Sequence, residues 1–114
     1  MKVKNHTKQA LLANQARMAD SFFKRLRGLL GTKQLPMGEG LIIKPCSSVH
    51  TFGMAYHIDV LFIDKDNSIV KIAADLGPRQ MAVCSGSAYV IELPAGTATQ
   101  TNTVVGDQIR LSAD

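Results

Sequence analysis

The sequence predicts a small, mainly β domain, a sandwich or barrel carrying one helix. Three observations predict it. Five or six short apolar runs are spread over 114 residues and separated by turns rich in Gly and Pro, the pattern of a small all-β fold. One stretch alone has clear helical periodicity. No strand–helix–strand alternation runs along the chain, which disfavours a doubly wound parallel sheet.

The elements follow in order. Residues 1–9 are polar and are expected to form a flexible terminus, with a single globular domain over residues 10–112. Ala10–Met18 carries Leu11, Leu12 and Ala16 without clean alternation, which leaves strand and helix both open. Asp20 is suited to cap a helix start. Phe22, Phe23, Leu26, Leu29 and Leu30 follow at spacings of three and four and share one face, with Lys24, Arg25 and Arg27 on the other. Gly31 tolerates the left-handed conformation of a C-terminal cap. The spacing therefore predicts one short helix near residues 20–30.

A connector with Pro36, Gly38 and Gly40 leads to a short buried strand, Leu41–Ile43, which Pro45 ends. The most strand-like run is Ile58–Ile63, closed by the turn Asp64–Ser68. Ser68–Ala74 alternates in part and reads as the returning arm of a hairpin. Gly77-Pro78 marks a turn. Ala88–Leu93 is a further strand, broken by Pro94-Ala95-Gly96. Gly106-Asp107 turns the chain into a final strand, Gln108–Leu111.

Composition narrows the classes. The chain is 46% hydrophobic and 19% charged, as in ordinary globular proteins. No apolar run is long enough for a membrane helix, and the N-terminus has no unbroken apolar segment of the secretory kind. The expected compartment is the cytoplasm, or outside it if a leader has been removed. A net charge of +4 is modest. No glycine–aromatic pattern of the RNA-stacking kind is present, so nucleic acid is not the expected partner. Phosphate loops of the GxxxxGK[ST] and GxGxxG types are absent, which disfavours nucleotide hydrolysis. Cys46 and Cys84 lie far apart in sequence and read as buried thiols.

Candidate chemistry gathers at His50–Asp64, where His50, Met54, His57 and Asp59 lead into the Ile58–Ile63 strand. Cys46, His50 and Met54 are evenly spaced, and thiolate, imidazole and thioether together suit a soft metal. A buried Cys, a bonded His and a core Met explain the same letters, and no metal or other cofactor is expected. A cysteine with His50 and Asp59 would supply nucleophile, base and orienter, but no GxSxG elbow accompanies them. Asp59 and Glu92 each interrupt an apolar strand, where a carboxylate needs a partner. Arg25 is the expected structural partner for Asp59 or Glu92. Arg79 is able to grip an anion. The expected ligand site is a polar pocket built from His50, Thr51, Met54, Asp59 and Arg79, binding a small molecule or a protein partner. The alternative is a hydrolytic or metal-assisted enzyme using His50 with Asp59 or a cysteine.

Six blocks in order resemble the domain-of-unknown-function 192 family of prokaryotic proteins. They are Arg25-Leu26-Arg27-Gly28-Leu29, Gly40-Leu41, His50–Met54, Ile58–Asp64, Glu92–Gly96 and Gly106-Asp107. The resemblance implies a jelly-roll-like or sandwich domain with a short helix over Asp20–Leu30. It also implies that Ala10–Met18 is a strand. It brings no activity, cofactor or substrate. The pattern usually has Pro or a small residue at the position of His57, which makes His57 a local variation and a poor catalytic candidate.

Overall fold

The structure is a computed structural model that describes residues 1–19 and 34–113. Its strands are β1 Lys2–Asn5, β2 Ala10–Ala13, β3 Gln15–Ala19, β4 Glu39–Ile43, β5 Ser48–His50, β6 Ile58–Ile63, β7 Ile69–Leu76, β8 Met81–Val83, β9 Tyr89–Pro94 and β10 Ile109–Ser112. A single helical turn, α1, spans Thr97–Gln100. The expected helix near residues 20–30, with Lys24, Arg25 and Arg27, lies outside the described residues, and so does the Arg25 partnership.

Three sheets form from these strands: β10-β1-β2, β3-β4-β9-β6-β7, and the ribbon β5-β8. The five-stranded sheet is the middle layer. Its central strands β6 and β9 are buried at every position, which explains why their sequences are near-continuous apolar runs. Side chains alternate across the sheet. Leu61, Ile63, Ile91 and Leu93 meet Val3, Leu12 and Ile109 of the three-stranded sheet. Val60, Phe62, Val90 and Leu41 meet Val49 and Ala82 of the ribbon. The result is a sandwich without a closed barrel among the described residues, as the turn-separated runs predict.

The N-terminus departs from expectation. Residues expected to be flexible form β1, paired with β10 on one side and β2 on the other, and Val3 is fully buried. Asn5 explains the pull. Its amide donates to Asp107 and Thr103, each at 2.9 Å, and Lys8 pairs with Asp107 at 3.0 Å. A polar run is read as frayed only if its polar groups face water, and these bond each other across the chain. Burial alone would push the Asp107 carboxyl up. The Asn5 hydrogen bond, the Val104 amide and Lys8 outweigh that and hold it below the ordinary Asp range.

The implied strand at Ala10–Met18 is present as two, β2 and β3. Strands β3 and β4 pair in parallel, joined by a connection long enough for a parallel crossover; β6 with β7 makes the expected hairpin.

Candidate functional site

The ribbon and its flanking loops bring His50, Thr51 and Arg79 near one another, while Met54 lies in the core and Asp59 on the other face of the middle sheet. Thr51 directly follows β5, is 1% exposed and ties two loops together. Its hydroxyl donates to the Gly77 carbonyl and accepts from the Gln80 amide at 2.9 Å. Its own amide donates to the Gln80 carbonyl at 2.9 Å. The Gly77–Gln80 turn is thereby fixed to the ribbon. A Cβ at Gly77 would stand 3.0 Å from the exposed His57 ring, which would have to shift by a few tenths of an ångström. The Arg79 amide donates to the Thr51 carbonyl at 3.4 Å. Arg79 is exposed and left-handed, at φ 61°.

Asp59 sits on β6 and is 1% exposed. Its two oxygens accept from the amides of Asp75 at 2.9 Å, Gly96 at 3.2 Å and Ala98 at 2.9 Å. The Gly96 and Ala98 amides belong to the start of α1, whose first N–H groups have no partners within the helix. Gly96 reaches this position at φ 96°, a conformation that side chains disfavour. Asp59 thus joins β6, β7 and α1, and backbone donors take up both its oxygens. Among the described residues it shares no hydrogen bond with His50 or Arg79. His57 pairs instead with exposed Asp75, Nδ1 to carboxylate at 3.0 Å.

His50 faces outward from the ribbon, and its ring lies 5.5 Å from that of Phe52. Met54 points the other way and is buried in the core cluster with Val49 and Phe62. Cys46 is half-buried, and its Sγ donates to the Ser48 carbonyl at 3.0 Å. The evenly spaced Cys46, His50 and Met54 therefore do not converge. No group of three His, Cys, Asp or Glu able to hold a metal occurs among the described residues. Burial pushes the Cys46 thiol up; the Ser48 backbone opposes this, and the charge of Glu92 adds to it. A surface hollow of about 410 Å³ lies beside it, lined by Pro45, Cys46, Ser47, Ser48 and Ser87.

Glu92 lies on β9, opposite Leu41 and Val60, on the sheet face that packs against the ribbon. It is 4% exposed, and its Oε1 has no hydrogen-bond partner among the described residues. Burial drives its carboxyl up to about 7, against a smaller pull from Arg17.

Sequence reasoning passed over the outer face of the ribbon. β8 is a three-residue strand between Gly77-Pro78 and Cys84-Ser85-Gly86, too short for alternation to register. Pairing places His50 opposite Met81 and Ser48 opposite Val83. Met81, Val83 and Phe52 are 62%, 53% and 49% exposed. The available signal was the alternation Met81-Ala82-Val83, apolar on the side that faces away from the core.

Comparison with known proteins agrees with the fold. The family model described as uncharacterized ACR, DUF192, matches residues 2–111. A UPF0127 protein of Thermococcus sibiricus is 32% identical over 109 residues, which cover 92% of this chain and 71% of that protein. A UPF0127 protein of Pyrococcus horikoshii is 32% identical over 112 residues, covering 93% and 95%. A crystal structure of a protein of unknown function from Novosphingobium aromaticivorans superposes with a TM-score of 0.80 at 19% identity, covering 96% of this chain and 82% of the other. At that identity the likeness bears on the fold alone.

Proposed function

The chain belongs to the DUF192 family, whose description assigns no activity, and from that premise we propose that it is a binding domain whose contact face is the outside of the β5–β8 ribbon. His50, Phe52, Met81 and Val83 form the face, and Arg79 stands at its end. Thr51 holds the Gly77–Gln80 turn that frames it, Asp59 anchors the end of β7 that leads into that turn, and Met54 packs beneath. The observation that carries this reading is the contrast in exposure. Three large apolar side chains stand about half-exposed or more on one small ribbon, while the polar groups behind them are taken up by backbone donors and acceptors. Contiguous exposed apolar surface is uncommon on monomers and marks contact sites. A general-base role for His50 would need an orienting partner, and Asp59 is fully engaged elsewhere.

A small-molecule fragment screen by crystal soaking tests the reading. The expected result is fragment density against Phe52 and Met81. Fragments seated only in other parts of the molecule would overturn it.

A further inference from the structure

Resting on the ribbon reading, we infer that the partner is an acidic, extended polypeptide segment carrying apolar side chains. The contact face is continuous. His50 lies beside Phe52 on one side, the rings tilted by 37°, and pairs across the ribbon with Met81 on the other, and Val83 follows two residues along β8. Hydrogen bonds between Cys84 and Ser47 and between Thr51 and Gln80, both 2.9 Å, set the ladder phase. They make 50/81 and 48/83 the non-hydrogen-bonded pairs, whose side chains approach most closely. The apolar stripe is therefore a single surface.

Its charge is one-signed. From Gly40 to Ile58 and from Leu76 to Ile91 the chain contains no Asp or Glu. The ribbon and both its loops fall within those stretches. Asp75, just before the second, is paired with His57. At one end of the stripe Lys71 reaches across and donates to the Val83 carbonyl at 2.9 Å. At the other, the backbone amide of exposed Arg79 donates to the Thr51 carbonyl at 3.4 Å, which sets its Cα at that end of the ribbon. An apolar strip with a cation at each end complements a segment with apolar residues between carboxylates. A second copy docking face to face would bring like charges together, which is unfavourable. Nucleic acid fits less well: Lys71 and Arg79 are the two cations placed at the ends of the stripe, whereas salt-sensitive nucleic-acid binding typically draws on about six to ten phosphate contacts.

The test uses a fluorescently labelled peptide alternating Asp and Leu, its Lys-for-Asp counterpart and an oligo-dT strand, followed by anisotropy with the full chain. The Asp–Leu peptide is expected to bind, to weaken as salt is raised, and to lose about tenfold in affinity with Arg79→Glu. The salt titration reads the same electrostatics without a variant. Failure of the Asp–Leu peptide to bind, or equal binding by the Lys peptide or the oligonucleotide, overturns the inference. NMR mapping of the bound peptide separates the two levels. Perturbation at Phe52 and Met81 that ignores both salt and Arg79→Glu refutes the acidic partner and leaves the ribbon standing. Perturbation elsewhere refutes both.

Discussion

The Asp59 cradle lies on the middle-sheet face turned away from the ribbon, and the cradle and the ribbon's outer face treat their side chains in opposite ways. In the cradle, a carboxylate of the kind that drives catalysis is buried and accepts three backbone amides. On the ribbon, side chains of the kind that build cores stand in solvent. The residue types alone point to the acid as the reactive centre. The geometry reverses that, because a buried carboxylate whose two oxygens both accept from backbone amides has little left to offer a ligand. What remains available is the apolar ribbon face and the cation beside it.

The largest expected effect comes from breaking the cradle. Asp59→Ala leaves buried amides of β7 and α1 without acceptors, and denaturant unfolding should show a loss of about 3–5 kcal/mol. A loss below about 1 kcal/mol would mean the cradle is not holding these elements.

Glu92 sharpens the comparison, since it is a buried carboxylate whose Oε1 has no hydrogen-bond donor among the described residues. Its folded-state value, raised from 4.5 to about 7 by burial, means that the folded chain holds this proton more tightly than the unfolded chain. The contribution is fully present at low pH and is lost as pH rises from about 4.5 through about 7, amounting to roughly 3 kcal/mol. Asp107 has the opposite sign, because its lowered value supports the fold above the ordinary Asp range and fades as pH falls. Comparing the wild type with Glu92→Gln isolates the first effect. The wild type should lose stability relative to Glu92→Gln between pH 5 and 8, and parallel pH profiles would contradict the assignment.

A smaller effect is expected at Thr51. Thr51→Val removes the hydroxyl that serves Gly77 and Gln80, and thermal or chemical unfolding should show about 1–3 kcal/mol of destabilisation. Smallest of all is the effect on stability at the ribbon. Phe52→Ala and Met81→Ser remove exposed side chains, and their unfolding free energies should stay within about 0.5 kcal/mol of wild type. A larger loss would make these side chains part of the fold rather than a contact face.

Much of the scaffold was legible because strand and turn chemistry is local. Ile58–Ile63 coincides with β6, and the Asp64–Ser68 turn, the Pro94–Gly96 break and the final strand fall close to where composition places them. What escaped depended on long-range partners. Asn5 is buried by Asp107, about a hundred residues away, so nothing near it announces β1. β8 is three residues long and exists because Thr51 and Ser47 supply its ladder. The sequence marks Asp59 as a carboxylate that needs a partner, but the backbone amides of β7 and a helix start that serve it leave no side-chain signature. The evenly spaced Cys46, His50 and Met54 suggested convergence, yet a ribbon with one face in solvent and the other in the core separates His50 from Met54.

The central claim is that Asp59 supports the contact face without being part of it. Protein-observed NMR of Asp59→Asn tests this, at a temperature where the variant is folded, with a fragment that binds the wild type. The account predicts the same shifts at Phe52, Met81 and Val83 and a similar affinity, despite lowered stability. Loss of fragment binding with those ribbon resonances otherwise unchanged would contradict it and place Asp59 in the site itself.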